Sequence, residues 1–173
     1  MKRTSSSLFV TIALALSGCG YHVAGRSDSL PPTIHVIAVP ALENKTSNYR
    51  IEQKLTAATV REFLAKTPYK VVSNPEAADA VLRGTVVSVE AVPLLFDTKS
   101  GRATTMLVTV KCEVKLTDSS TQKVLYHSEN FMFRNEYEIS TDVNSFFGEQ
   151  DPALDRLAQD FAARLVAAVT ENY

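Results

Sequence analysis

From Met106 to Thr117 the chain alternates without a break. Met106, Val108, Val110, Cys112, Val114 and Leu116 share one parity; Leu107, Thr109, Lys111, Glu113, Lys115 and Thr117 share the other. A period of two over that length predicts an antiparallel strand with one buried and one largely solvated face. Asp118-Ser119-Ser120-Thr121 is turn chemistry, so Gln122 to Phe133 is expected to return as a hairpin partner. Upstream, Ala80 to Val92 reads as a long strand in which Leu82 faces the core before Gly84, whereas Val87 and Val89 carry the apolar parity after it. A bulge at Gly84 would switch the face. Pro93 to Arg102 is expected to be a connecting loop, with Lys99-Ser100-Gly101-Arg102 at its turn.

Thr33 to Val39 is apolar on both parities, which predicts a buried, central strand ended by Pro40. Asn44, Thr46, Ser47 and Asn48 are each able to cap a following helix. Ile51, Leu55, Ala58, Val60, Phe63 and Leu64 then recur at helical spacing until Thr67-Pro68. Tyr69 to Val72 is a short strand, and strand, helix, strand in that order favours a parallel pair. Asn74-Pro75-Glu76 turns the chain. After an irregular stretch from Arg134 to Gln150, Asp151-Pro152 has the form of an N-cap and N1 pair. Leu154, Leu157, Ala158, Phe161, Leu165, Val166 and Val169 follow as one helical stripe. These elements predict an α+β fold: a two-layer α/β sandwich with two helices on one face of a mixed, mostly antiparallel four- to five-stranded sheet.

The first residues change the picture of where this domain resides. Lys2-Arg3, an apolar run from Leu8 to Leu16 and a small-residue exit form a secretory signal, the run being about half of the roughly 20 residues a membrane span needs. Leu16-Ser17-Gly18-Cys19 resembles the lipobox of bacterial lipoproteins, which implies removal of residues 1–18 and lipidation at Cys19. Two or more acyl chains anchor a protein stably without spanning the bilayer. Gly20 stands where inner-membrane lipoproteins carry Asp, so by that resemblance the destination is the periplasmic face of the outer membrane. Residues 19–32 are then a lipidated tether ending in Leu30-Pro31-Pro32, and residues 33–173 a single α/β domain. Gly20 to Pro32 reach at most about 45 Å when extended, which keeps the domain close to its own membrane.

Loss of Lys2 and Arg3 leaves 16 basic residues of 18 against 19 acidic, a mature net charge of about −3 and no global field for nucleic acid. A lipidated Cys19 leaves Cys112 without a disulfide partner in the chain. His22, His35 and His127 sit in no metal-ligand spacing. No nucleophile elbow, phosphate-binding glycine loop or Cys-x-x-Cys occurs. Glu136 and Glu138, one residue apart, read as solvated acids and Cys112 as core. The sequence therefore points away from an enzyme, a metal site and a cofactor.

Cys19-Gly20-Tyr21-His22, followed by the Pro-rich tether, the first helix, the long strand pair around Gly101 and the closing helix, resembles the LptE family of lipopolysaccharide-assembly lipoproteins. The resemblance implies a two-helix, four-stranded sandwich that plugs an LptD-type outer-membrane β-barrel, helps it fold, and binds lipopolysaccharide on its way to the outer leaflet. Family members carry basic residues in the loop joining the two long strands, where this chain has Lys99 and Arg102. A second basic position before the last helix is replaced here by Asp142, Asn144 and Glu149. Phe146 and Phe147 in that segment are candidates for a cap over the core or for a contact with the barrel wall. Ile37 to Asn44 is also similar to the start of lipoprotein activators of peptidoglycan synthases, and a secretin pilot is a third reading.

Overall fold

The computed structural model describes residues 30–48, 50–138 and 143–171, the last segment as backbone alone up to residue 153. The signal segment, Cys19, most of the tether and the side chains of Phe146 and Phe147 lie outside the described residues. Six strands and two helices are present: β1 (Val36–Ala38), β2 (Glu43–Asn44), α1 (Ile51–Lys66), β3 (Lys70–Val72), β4 (Ala80–Phe96), β5 (Ala103–Asp118), β6 (Val124–Glu138) and α2 (Val143–Glu171), with a 3-10 turn at Pro75–Ala77. They form the expected α+β arrangement of two helices on a mixed sheet.

The sheet runs β3-β1-β4-β5-β6, with β2 added to the other reach of β4. As the strand-helix-strand order implies, β1 and β3 are parallel; β4, β5 and β6 are antiparallel. β1 is central, and Ile37 and Ala38 are fully buried. Asp79 secures its start: Oδ2 accepts from the backbone N–H of His35 at 2.8 Å and of Val36 at 2.9 Å.

The alternating parity of β5 holds from Val108 on, with Val108, Val110, Cys112, Val114 and Leu116 all buried; Met106 is only half-buried, and Thr109 is buried on the face expected to be solvated. Against them lie Phe63 and Leu55 of α1 and Leu157, Phe161, Leu165 and Val169 of α2, in one continuous core. Phe161 stands edge-on to Phe131 at 5.5 Å and to Phe133 at 6.2 Å between ring centres, a favoured aromatic geometry. Lys54 of α1 reaches Asp155 of α2 at 2.7 Å, although both are solvated, so the pair contributes little.

Five local expectations are corrected. The bulge in β4 lies between Val86 and Ser88, not at Gly84, so Val87 drops out of the ladder and is exposed; the core parity passes from Val86 to Val89. Gly84 serves a different need. A Cβ there would stand 3.2 Å from Leu42, whose side chain crosses the strand just before β2 pairs with it. Pro93 does not end β4, which continues to Phe96. The partners of β4 on its other side pair only with Ala80, Val81, Thr85 and Val86, so Pro93 sits where β4 is an edge strand, the kind of position at which a sheet tolerates proline, and the register slips directly after it.

The first helix is not capped by Asn44, Thr46, Ser47 or Asn48. Arg50 occupies the N-cap in a left-handed conformation (φ 64°), while Asn44 Nδ2 ties the preceding loop by donating to Asn48 O and Glu52 Oε2. Leu64 lies off the buried stripe at 59% exposure, and Thr59 takes a core position instead, its hydroxyl satisfied by Leu55 O at 2.8 Å. The second helix begins at Val143 rather than Asp151, so Pro152 falls inside it at the cost of one helical hydrogen bond.

Candidate functional site at the tip of the long hairpin

Four large apolar residues at the far end of β4 are exposed: Val92, Leu94, Leu95 and Phe96. Val92, Leu95 and Phe96 pair with a segment of β5 that begins at Ala103, Leu94 drops out at a register slip, and Phe96 faces Ala103 directly before the chain reverses. Among the described residues, the buried core on β5 ends at Val108, and Tyr137 of β6 packs against it from the side. The described contacts at the tip are its backbone ladder and the bonds of its turn.

That turn is built around one carboxylate. Asp97 Oδ1 accepts from Lys99 N at 3.1 Å, Ser100 N at 2.6 Å and Ser100 Oγ at 2.7 Å. The main chain closes the loop through Gly101 N to Asp97 O and Asp97 N to Arg102 O, both 2.8 Å. Gly101 has φ 67°, a conformation that costs glycine nothing. Because Ser100 Oγ, Ser100 N and Lys99 N all favour the ionised form, the Asp97 carboxyl lies below its ordinary range. Lys99 and Arg102 are both exposed on this pinned turn.

The two cations expected at the site are therefore together, on a fixed loop, next to a bare apolar run. Leu94-Leu95-Phe96 was not recognisable as part of it while Pro93 stood as the strand end. The available signal was three consecutive apolar residues leading into a polar turn, with no polar parity to hide them. Phe146 and Phe147 lie in the first turns of α2 and only their backbone is described. Among the described residues no group of acidic, His and Cys side chains could hold a metal ion. Cys112 is wholly buried, and burial pushes its thiol up to about 12, far from a reactive thiolate.

Comparison with solved structures gives the same fold in several bacterial lipoproteins. Lipoprotein B from Nitrosomonas europaea aligns with a TM-score of 0.54 at 15% identity, over 89% of this chain and 92% of that one. The rare lipoprotein B from Shewanella oneidensis gives 0.51 at 14% identity, over 80% and 96%. A putative lipoprotein from Caulobacter crescentus gives 0.51 at 12% identity, over 76% and 88%. Identities this low establish the architecture alone. No curated protein sequence matches the chain. The family model described as LptE, lipopolysaccharide-assembly, matches residues 34–169, from just before β1 to the last turns of α2. With that match spanning both helices, all six strands and the hairpin tip, the chain belongs to the LptE family of lipopolysaccharide-assembly proteins.

Proposed function

We propose that the protein is an outer-membrane lipoprotein, cleaved before Cys19 and lipidated there, that plugs and helps assemble an LptD-type β-barrel and assists insertion of lipopolysaccharide into the outer leaflet. Its role is non-enzymatic. The observation that carries the reading is the tip of the β4–β5 hairpin, where Lys99 and Arg102 stand beside exposed Leu94, Leu95 and Phe96. Lipopolysaccharide combines anionic phosphates with acyl chains, and the tip offers both complements. Cations on the turn suit the phosphates through charge-assisted bonds. An uncovered apolar run suits either acyl chains or the wall of a barrel. Phe146 and Phe147 are proposed as further barrel contacts, and the lipid at Cys19 holds the domain at the periplasmic face.

Affinity purification of the tagged, lipidated protein from detergent-solubilised outer membranes tests the partner. A large β-barrel at equal stoichiometry is expected, whereas a peptidoglycan synthase or secretin component in its place would support the other lipoprotein readings. For the site, Lys99→Glu combined with Arg102→Glu should weaken lipopolysaccharide binding at least tenfold, about 1.4 kcal/mol, while leaving the melting temperature unchanged. Unaltered binding by that double variant removes the tip from the reading.

A further inference from the structure

The opposite end of the same sheet carries a second pair of cations, Arg83 and Lys115. Arg83 of β4 faces Lys115 of β5 directly across the ladder, and Lys115 faces His127 of β6. All three lie on the face away from the helices and are exposed. Like charges placed directly opposite one another on a sheet are destabilising. Among the described residues neither Arg83 nor Lys115 makes a hydrogen bond or ion pair that would offset this. Glu113, the next residue on that face of β5, bridges to neither of them.

Beside this row lies a groove of about 700 Å³, bounded by Arg83, Lys115 and Thr117 on the sheet and by the 3-10 turn and the β5–β6 turn. That volume is within the range of small-molecule sites. Two acids also line it: Glu76, exposed on the outer turn, and Asp118, whose Oδ1 is turned into its own loop by Thr121 N, Ser120 Oγ and Ser120 N, bonds that keep the carboxylate ionised, so an anion must seat on the Arg83 and Lys115 side of the groove. Ser119, on the groove wall, has a buried hydroxyl with no hydrogen-bond partner. The oxygen itself is closed off from solvent, so it marks the wall of the groove and is not a ligand group.

We propose that this groove binds a phosphorylated sugar. The phosphate would lie across Arg83 and Lys115, where a planar guanidinium and an ammonium share the load of one dianion and relieve their mutual repulsion. Thr117 and Gln122 supply hydroxyl and amide groups for the sugar oxygens, and Pro75 and Val81 offer small apolar surfaces to its C–H face. The site is separate from the hairpin tip: Lys115 and Arg102 are roughly 40 Å apart along β5 at the usual strand rise. The proposal therefore stands or falls independently of the tip.

The test uses the full-length, lipidated protein in a neutral detergent, titrated with glucose 6-phosphate, with glucose as control, and separately with lipopolysaccharide micelles. Amide chemical shifts and calorimetry are the readouts. Glucose 6-phosphate should move the resonances of Arg83, Lys115 and Ser119 while glucose does not. Arg83→Gln with Lys115→Gln should weaken that binding roughly tenfold or more, the loss expected for charge-assisted bonds, whereas Lys99→Gln with Arg102→Gln should not. Binding seen only with lipopolysaccharide micelles, and lost in the Arg83/Lys115 variant, would assign the groove to the headgroup of a glycolipid rather than a free sugar phosphate. If neither probe's affinity depends on Arg83 and Lys115, the proposal is overturned. The double variant should also melt at the same temperature or higher, because a like-charge contact is removed. A lower melting temperature with unchanged affinity would give the pair a structural role and overturn the site.

Discussion

The β4–β5 hairpin is one continuous ladder with two unlike ends. Toward Ala80 and Leu116 its inner face is sealed beneath both helices, and Val86, Val110, Cys112 and Leu116 are without solvent contact. Toward Phe96 and Ala103 the same two strands carry comparably large apolar residues into solvent, Leu95 at 61% and Phe96 at 57% exposure. The covered half of β4 also pairs with β1 and β2, whereas the tip half pairs with β5 alone and its register slips twice, at Pro93/Leu95 and Leu95/Phe96. One end is stabilised by burial within the chain, whereas the other leaves apolar surface for something else to cover. Local stability should follow the same gradient, highest at the covered end and lowest at the tip.

The sharpest way to break the contrast is to empty the covered end. Phe161 is fully buried, belongs to α2, and is the ring on which Phe131 and Phe133 of β6 both stand. Phe161→Ala should cost about 3 to 5 kcal/mol in urea unfolding, from lost transfer energy plus the cavity left behind. Its effect should reach the far end of the hairpin only through global unfolding. A loss below about 1 kcal/mol would mean that the sheet is not held by the helices, and the proposed gradient would be wrong.

Cys112 sharpens the same point through pH. Its thiol is pushed up from 9.0 to about 12 by burial in the covered region. A folded-state value above the unfolded one means that the native protein holds its proton longer. The stabilisation is complete below pH 9 and is lost as pH rises toward about 12. Within that window the wild type should lose about 1.4 kcal/mol of stability per pH unit more than Cys112→Ala, which has nothing to titrate. Urea midpoints of both proteins at pH 8.5 and 10.5 measure this, and parallel slopes would show that water already reaches the thiol.

The covered end was largely legible in the sequence, because burial imposes periodicity. The stripe from Leu154 to Val169 and the parity from Val108 to Leu116 are both observed as expected. The exposed end was not, for the same reason: where Val92, Leu94, Leu95 and Phe96 all stand in solvent no alternation is required, and Pro93 on an edge strand resembles a strand end. Elsewhere the misreadings come from contacts between distant segments. Gly84 looked like a bulge because a strand glycine commonly marks one, yet its actual requirement is the passage of Leu42, which no local pattern encodes. Thr59 and Leu64 exchanged places because a threonine that satisfies its own hydroxyl on Leu55 O can take a core position. Of the site, Lys99 and Arg102 were legible as cations on one turn, whereas their apolar neighbours became visible only with the strand's true length.

The smallest effect on global stability, and the most local, is expected at the turn itself. Asp97 holds Lys99 N, Ser100 N and Ser100 Oγ, and those bonds depress its carboxyl below the ordinary value. A depressed carboxylate contributes order above its unfolded value and loses it as pH falls through the folded one, so the turn should loosen only in acid. Asp97→Asn removes the charge and should imitate that loosening at neutral pH. The amides of Lys99 and Ser100 would exchange faster with solvent, while Val110 and Leu116 in the covered half keep their protection. Because a looser turn spreads its two cations over more conformations, lipopolysaccharide affinity should fall by less than in the Lys99→Glu, Arg102→Glu protein. Unchanged exchange at Lys99 and Ser100 would mean that the backbone bonds from Asp97 to Gly101 and Arg102 set the turn by themselves.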